Sequence, residues 1–491
     1  MNDCYLVENK IIRNAEDIFA GLTTESKILI VNCTILTEEL RFSPQLSTIF
    51  FVSCSSNSEL LIHSYNKKAV LGFEYGNSFK SIKLSGCYEN IHFNSSPVFS
   101  RVPYPEEFKQ SLFGVIYFLK EVNAKVVYFS TVSCGSVKYV GSATNFYIDD
   151  VNISNDMTFI SNGDVSVSII STECKELNFE GGFKYVNLNS EFKIGTVYFN
   201  LREGTMKNVS IDLQNSTIYE KLMFANASDS KACQFILKNA SFASIKRLVL
   251  HQSVLSCFVM SNCDLTKTEV EFINCRIDDL LTEGVTWPFD IEVSHSNYRK
   301  VPPLEFEQKQ SVYRQLKSIS QKNKDVDNFL FFRRKEYDIT LCVLSLRLSA
   351  YISYFLTVLC DLLGVCRSRN LPVIEKMNHN NKFAGFVMTL SNWFVLKLSS
   401  LVSVHGTSLF RPIAILILGI PFLLCIFGYY ESIEQLVSLS AYVIDPTHKL
   451  EATILGSKLI INPVHSLIFK IFSSTLLFKI VMVFRKYSLS I

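Results

Sequence analysis

The 491-residue chain lacks the short motifs that mark metal-dependent and nucleotide-dependent enzymes. It has no HExxH pair, no GxxxxGK phosphate loop, no GxGxxG after an apparent strand and no GxSxG nucleophile elbow. Its 14 cysteines include no CxxC pair, so a zinc site is not predicted. The sequence therefore predicts no cofactor, no metal and no catalytic residue, and we do not expect an enzyme.

Charge is also scarce. Charged residues make up 19% of the chain and the formal net charge is only +3, so no nucleic-acid partner is predicted. The first 20 residues contain no basic segment followed by an apolar core, so no signal peptide is predicted. We therefore expect the N-terminal part to lie in the cytosol, with its cysteines as reduced thiols.

Seven Asn-x-Ser/Thr sequences match the glycosylation acceptor pattern. Because export is not predicted, we interpret them as turns between short strands rather than as glycosylation sites. They begin at Asn32, Asn94, Asn152, Asn208, Asn215, Asn226 and Asn239.

Long apolar runs are present near the C-terminus. Pro412–Tyr430 has 19 residues without a charge, and Val464–Phe484 is nearly as apolar and is followed by Arg485 and Lys486. Each is long enough to cross a hydrocarbon core of ~30 Å at ~1.5 Å per residue. We predict that residues 410–491 form two transmembrane helices with an intervening loop.

The N-terminal part has the pattern of a β-solenoid. From about Lys27, short runs of alternating apolar residues end in Asn, Ser or Cys, as in ILIVNCTI and FVMSNCDL. The spacing between these marks is 21 residues from Cys33 to Cys54 and 23 from Asn239 to Asn262. A period of 20–24 residues predicts a right-handed β-solenoid over residues 27–300, after an N-terminal cap at 1–26. A β-sandwich is the alternative.

Two segments break this pattern. Pro105–Val122 has apolar residues at helical spacing, which predicts a helix lying over one edge of the solenoid. Tyr219–Lys231 shows no clear strand and is predicted to loop out.

A helical neck follows the predicted solenoid. After Pro302-Pro303, the apolar residues Val312, Leu316 and Ile319 share one helical face, and Phe329 and Phe332 begin a second face. A polar break at 322–327 separates the two faces. Residues 301–338 are therefore predicted to form a helical hairpin.

The neck and the C-terminal part resemble a group of bacterial inner-membrane proteins that have an N-terminal pentapeptide-repeat-like β-helix. The resemblance covers residues 302–491, and four segments carry it: Tyr313-Arg314-Gln315-Leu316-Lys317, Phe331-Phe332-Arg333-Arg334-Lys335-Glu336-Tyr337, His405-Gly406-Thr407-Ser408 and Val483-Phe484-Arg485-Lys486-Tyr487. It implies a two-helix, potassium-channel-like membrane module in the bacterial inner membrane.

The chain departs from that group in two respects. Its β part lacks the strict A-(D/N)-L-x-x repeat, which favours a wider coil. The segment between the two predicted spans has no T-V-G-Y-G-type filter, so potassium selectivity is not predicted.

Residues 339–409 are predicted to be membrane-associated, amphipathic helices. The apolar segment 340–364 has basic residues on both sides, whereas a spanning helix is expected to have them on one side. The segment 386–402 places Val387, Leu390 and Phe394 on one stripe, which is typical of an interfacial helix. The sequence leaves open whether 340–364 spans the membrane.

If the chain starts in the cytosol and crosses the membrane twice, Arg411 before the first span and Arg485-Lys486 after the second both lie on the cytoplasmic side. The C-terminus is then predicted to be cytoplasmic. Lys470 and Ser474 in the second span are candidate residues of a membrane pathway, because intramembrane cations are costly and often functional. Lys479 is interpreted as snorkelling toward the inner headgroups. Candidate contacts to lipid headgroups are Arg333, Arg334, Lys335, Arg485 and Lys486.

Three functions are compatible with this organisation. The first is a cytosolic sensor or binding domain coupled to a channel-like or membrane-perturbing module, assembled as a homo-oligomer because two helices enclose nothing. The second is a membrane-anchored scaffold whose solenoid binds an unidentified protein partner without conduction. The third, a glycan-cleaving enzyme, requires an acidic groove that the sequence does not show.

Overall fold

The structure is a computed structural model of the chain. It divides into two compact units, Met1–Tyr298 and Arg299–Ile491, which are described separately. The described residues are 4–19, 27–42, 46–94, 111–119, 122–141, 145–162, 165–200, 206–226, 234–255, 257–277, 280–294, 302–362, 382–403, 410–429, 432–454 and 457–488.

The first unit is a parallel β-solenoid of about 11 turns, as the repeat pattern predicts. A single-turn helix, α1 (Glu16–Phe19), interrupts the first coil. The strands of the first half are β1 Cys4–Glu8, β2 Ile11–Ile12, β3 Lys27–Val31, β4 Thr34–Ile35, β5 Glu39–Phe42, β6 Thr48–Val52, β7 Ser55–Ser64, β8 Val70–Phe73, β9 Ser78–Asn94, β10 Ser111–Phe118, β11 Asn123–Ser130, β12 Val132–Gly141, β13 Asn145–Asp149 and β14 Val151–Ile153. Those of the second half are β15 Asp156–Asn162, β16 Ser166–Ile169, β17 Thr172–Leu188, β18 Lys193–Asn200, β19 Met206–Asp212, β20 Thr217–Ala225, β21 Gln234–Lys238, β22 Arg247–His251, β23 Val254–Leu255, β24 Cys257–Ser261, β25 Glu269–Ile273, β26 Arg276–Ile277, β27 Leu280–Glu283 and β28 Glu292–Ser294.

These strands stack into two long parallel sheets, which we call sheet A and sheet B. Sheet A contains β11 and the strands stacked on either side of it in successive coils, and sheet B contains β12 and the strands stacked on either side of it. The long strands β9 and β17 contribute to both sheets. Along sheet A, paired residues are 19 to 26 positions apart, except for a step of 36 from Asn90 to Val126. Every solenoid pairing is parallel among the described residues, which excludes the β-sandwich alternative because sandwiches pair antiparallel strands.

Phenylalanine ladders fill the interior. Phe51, Phe73, Phe93 and Phe129 stack in adjacent coils of sheet A with ring centroids 4.7–5.1 Å apart. A second ladder in sheet B joins Phe159, Phe179, Phe199 and Phe224 at 4.9–5.4 Å. Parallel in-register pairing places equivalent residues of successive coils at a spacing of ~4.8 Å, so the phenylalanines of each ladder stack on one another.

The corners explain most of the Asn-x-Ser/Thr sequences. Asn32, Asn215, Asn226 and Asn239 have φ between 50° and 59°, the left-handed region in which asparagine is tolerated better than most residues. The turn interpretation is wrong for the other three sites, because Asn94, Asn152 and Asn208 lie in strands.

Cysteine follows the corner residue in several coils and points inward. Cys33, Cys54 and Cys263 are buried, and each thiol lies 3.2–3.4 Å from the carbonyl oxygen two residues earlier. The small, weakly polar side chain thus fills the interior beside the turn.

Three further sequence predictions for this unit are wrong. Residues 4–8 and 11–12, placed in the cap, are strands that pair with β3 and β4, so the solenoid begins before Lys27. The segment predicted as a helix contains β10, because Phe113, Ile116 and Phe118 also fit a buried strand that pairs on both sides. Residues 219–225 of the predicted loop belong to β20, which pairs with β18 and β22, and residues 227–231 lie outside the described part of the chain.

The second unit begins with the predicted hairpin. Helix α2 (Pro302–Lys322) packs along α3 (Val326–Leu362), with Tyr313 and Leu316 buried between them. The hairpin does not end at residue 338, because α3 is 37 residues long and continues to Leu362. Contacts between the two helices reach Arg347, whose Nη2 atom lies 2.6 Å from Glu307 Oε1. Beyond Arg347, α3 is largely apolar.

The remaining elements are α4 (Lys382–Ser403), α5 (Phe410–Ile426), α6 (Ile433–Ile444), the antiparallel hairpin β29 (Glu451–Ile454) and β30 (Ser457–Ile460), and α7 (Pro463–Ser488). Helix α4 runs antiparallel to α3, since Trp393 Nε1 donates to Ser345 Oγ at 2.9 Å and Phe386 packs on Tyr351 and Phe355. Helices α5, α6 and α7 share a core that includes Ile420, Leu439 and Phe469.

The prediction that two helices, at 412–430 and 464–484, span the membrane is revised. Among the described residues, three helices are long and apolar enough to cross a membrane: Val326–Val358, Ala384–Val402 and Pro463–Met482. Helix α5, the first predicted span, has only 17 residues. Helix α4, predicted as interfacial, joins the candidate spans because its polar residues are too few to prevent insertion.

Candidate functional site

The solenoid has a long groove on the outer side of sheet B. In each of eight successive coils, from β7 to β20, the pairing of this sheet skips or shifts at one position, which we call the bend of the coil, and these bends line up. The resulting groove consists of two sections of about 590 and 460 Å³ that share Asn152 and Ser154. We call it the bend groove.

Glycines make the bend possible. A Cβ atom on Gly114 would lie 2.1 Å from the carbonyl oxygen of Lys80, and one on Gly135 would lie 2.2 Å from that of Gly114. A Cβ atom on Gly195 would lie 2.4 Å from the carbonyl oxygen of Lys175. The floor of the bend groove is therefore backbone at these coils, because a side chain there would collide with the preceding coil.

One wall of the bend groove is a row of outward-pointing residues in register. The row consists of Ser78, Leu112, Ser133, Asn152, Glu173 and Lys193. Most of these side chains can donate or accept hydrogen bonds. The opposite wall contains Glu176 and Glu220, and Glu220 Oε2 accepts a hydrogen bond from Thr196 Oγ1 at 3.2 Å.

The charges along the bend groove balance. Its lining carries three lysines and three glutamates, which are Lys80, Lys175, Lys193, Glu173, Glu176 and Glu220. Leu112 and Tyr219 are 56% and 46% exposed and add two apolar contact surfaces. The described residues hold no group of three or more acidic, histidine or cysteine side chains that could bind a metal ion. The arrangement is suited to binding an elongated ligand by hydrogen bonds.

The predicted pathway residues do not share one buried face. Lys470 is half-buried on α7, whereas Ser474 is exposed. The neighbouring residue Ser473 is buried, and its Oγ atom donates to the carbonyl oxygen of Phe469 at 2.8 Å. Lys479 reaches α4, with its Nζ atom 3.4 Å from Ser399 Oγ.

The basic neck residues have separate environments. Arg333 stacks over Tyr337 at 5.6 Å, and Arg334 Nε lies 3.8 Å from Asp338 Oδ2. Lys335 is buried, with its Nζ atom 5.8 Å from the centre of the Phe331 ring. The three therefore do not form one exposed basic patch. Arg485 and Lys486 lie in α7, but their side chains are outside the described part of the structure.

Sequence reasoning missed a polar cluster at the N-terminus of α7. His448 is buried, its Nδ1 atom lies 2.8 Å from the carbonyl oxygen of Asp445, and its Nε2 atom lies 3.1 Å from Ser466 Oγ. His465 stacks on Phe427 at 4.1 Å and approaches the Tyr429 hydroxyl at 3.1 Å. These contacts join the loop after α6 to α5 and α7, and the dispersed histidines gave no sequence signal for them.

No family model, curated protein or solved structure matches the chain. The resemblance to inner-membrane proteins with a pentapeptide-repeat-like β-helix therefore stays a prediction.

Proposed function

We propose that the protein is a membrane-anchored binding protein, in which the apolar helices hold the chain in a bilayer and the solenoid binds a partner. The bacterial inner membrane, with the solenoid on its cytoplasmic side, is the location we propose from the basic ends of the helices.

The observation that carries the proposal is the outward placement of large apolar side chains in the second unit. Only 11%, 6% and 22% of the most apolar windows of α3, α4 and α7 are buried. Met388, Phe394 and Leu418 are 60–70% exposed. Contiguous apolar surface on this scale is costly in water and is the expected exterior of a helix bundle in lipid.

The topology that we propose has an even number of crossings, in which α5, with 17 residues, crosses the bilayer together with α7. Helices α3 and α4 are antiparallel, as are α5 and α7, in which Gly419 lies against Phe472 and Phe427 against His465. If α3 and α4 cross together or lie at the surface together, the neck and the C-terminus remain on one side. That side then carries Arg333, Arg411 and Arg485, as the positive-inside rule requires.

Two measurements test the anchor and its orientation. Membranes from cells that express the full chain are washed with carbonate at high pH, and the chain is expected to stay in the pellet. In the same membranes, tags at the N-terminus and the C-terminus should be digested together by protease from one side only. Release of the chain by carbonate would refute the anchor, and tags on opposite sides would refute the topology.

A second candidate function is conduction by a homo-oligomer. It is supported by Lys470, a half-buried cation within a candidate span. None of the described ion pairs joins Lys470 to a carboxylate. Ion flux through liposomes that contain the purified chain should then occur, and its selectivity should change in Lys470→Leu. Absence of flux at several ionic conditions would eliminate this candidate and leave the anchored binding protein.

A further inference from the structure

We propose that the bend groove binds an extended polypeptide segment of a partner protein in the polyproline II conformation, lying along the solenoid axis. The inference rests on the proposed role of the solenoid as the binding part of the chain, and it specifies the ligand of that part.

The dimensions fit such a segment. The bend groove crosses eight coils, and seven steps of ~4.8 Å give a length of about 34 Å. A polyproline II chain rises ~3.1 Å per residue, so about 11 residues fill the groove. Both sections are open to solvent along the row of Asn152, so a chain can lie across them without entering an enclosed cavity.

The hydrogen-bonding groups fit as well. The floor cannot add a β-strand, because its backbone amides are bonded between coils, as in Asn155 N to Gly135 O at 2.9 Å and Lys175 N to Asn155 O at 2.9 Å. Binding must therefore use side chains. Ser78, Ser133 and Asn152 both donate and accept, and a polyproline II segment has no internal hydrogen bonds, so its carbonyl groups require such partners.

The repeat distances of the two partners agree. Three residues of polyproline II advance ~9.3 Å and return to the same orientation, while two coils of the solenoid advance ~9.6 Å. Ser78, Ser133 and Glu173 occupy every second coil of the wall, so equivalent carbonyl or side-chain groups of the ligand meet polar partners repeatedly. A β-strand has a two-residue period of ~6.7 Å, which matches no small multiple of the coil spacing.

The charge balance argues against a polyanionic or polycationic ligand. Lys80, Lys175 and Lys193 alternate with three glutamates along the bend groove, so neither sign is favoured over its full length. Leu112 and Tyr219 provide exposed apolar surface near its two parts, and such surfaces contact proline rings in known modes of polyproline recognition.

The test uses random twelve-residue peptides displayed on phage, selected on the full chain in lipid nanodiscs. Variant Asn152→Trp fills the middle of the bend groove from an exposed, outward-pointing position. Asn208→Trp places the same residue on the exposed outer side of sheet A and is the matched control. Equal thermal unfolding of both variants and the wild type shows that neither substitution disrupts the solenoid.

Selected peptides should bind the wild type and Asn208→Trp equally and Asn152→Trp at least tenfold more weakly, and free peptides should show the circular dichroism of polyproline II. Equal binding to Asn152→Trp, or selection of no peptide, would overturn the inference. Binding of a neutral glucan that Asn152→Trp alone abolishes would show that the ligand is a glycan instead. Carbonate extraction does not depend on the bend groove, so failure here leaves the anchor intact.

Discussion

The solenoid and the helical unit distribute their apolar side chains in opposite ways. In the solenoid, large residues such as Phe73 and Phe179 are fully buried. In the helical unit, Phe410 and Leu418 are at least 70% exposed, while Ser466 and Ser473 are almost completely buried. The exposed apolar side chains make the helical unit compatible with insertion into a membrane, because apolar side chains face lipid as readily as they face a protein core.

The comparison also shows two ways to order the same residue types. The solenoid gains its core from contacts between coils about 20 residues apart, so each residue is supported by its register neighbours. The helical unit satisfies its backbone within each helix and uses a few side-chain contacts to fix the packing, such as Trp393 with Ser345.

The sharpest test of this contrast replaces one phenylalanine by alanine in each unit and compares the loss of stability. Phe179→Ala removes a ring stacked between Phe159 and Phe199 and should reduce the free energy of unfolding of the solenoid by about 3–5 kcal/mol. Phe422→Ala, 65% exposed on α5, should change the stability of the detergent-solubilised chain by less than about 1 kcal/mol. Urea titration with limited proteolysis of each unit measures both, and a large loss in Phe422→Ala would contradict a lipid-facing position.

A smaller effect is expected in the neck, where the helical unit contains a buried charge. Glu336 is 6% exposed and binds Arg314 and Lys317 at 3.0 and 2.5 Å. Glu336→Gln should lower stability by about 2 kcal/mol, since it weakens charge-assisted hydrogen bonds between α2 and α3.

Asp338→Asn is the matched control for the neck. Its carboxylate forms an exposed pair with Arg334, so the loss should be about 0.5 kcal/mol or less. Thermal unfolding followed by helical circular dichroism distinguishes the two variants, and equal losses would contradict the difference in burial.

The corners of the solenoid give the next effect. Asn239 has φ of 55°, and its Nδ2 atom donates to Asp212 Oδ1 at 2.7 Å. Asn239→Ala should lower the free energy of unfolding by about 1–2 kcal/mol, because alanine is strained in the left-handed region. Asn239→Gly removes the same hydrogen bond without that strain and should cost less. Chemical denaturation of the two variants checks the order, and the reverse order would refute the strain argument.

The smallest effect concerns buried cysteines. Burial raises the pKa of Cys134 and of Cys174 to about 12, compared with 9.0 for an unperturbed thiol. Between pH 9 and pH 12 the unfolded chain therefore loses these protons while the folded chain keeps them, so solenoid stability falls as pH rises. From pH 8 to pH 10 we expect a loss of about 1 kcal/mol per thiol.

The double variant Cys134→Ala/Cys174→Ala isolates this effect from the titration of tyrosines. Urea midpoints at pH 8 and pH 10 should differ less in the variant than in the wild type. An unchanged difference would show that these thiols do not contribute to the pH dependence.

Much of the solenoid could be predicted because its signals are local and repeated. The corner asparagines and the inward cysteines recur at the coil period, so the period could be read without contacts. The strand β10 could not, since Phe113, Ile116 and Phe118 fit both helical and strand spacing and only pairing with β9 and β12 decides between them.

The candidate site was less predictable than the fold. Lys470 and Ser474 could be selected from the sequence because polar side chains are rare in an apolar run. Their burial depends on how α7 packs against other helices, and the composition of the helix does not reveal this packing. The bend groove requires Gly114, Gly135 and Gly195 to lie in one column across successive coils, although they are 21 and 60 residues apart in the chain. Single glycines in strands carry no signal of such an alignment.

By itself, the sequence determined the solenoid, the helical neck and the presence of apolar helices, because periodicity and hydropathy act on neighbouring residues. Only the tertiary structure decided where the solenoid begins, which helices are long enough to span, and where the bend groove lies. Those features depend on register between coils and on contacts between helices, and both are set by residues that are distant in the chain.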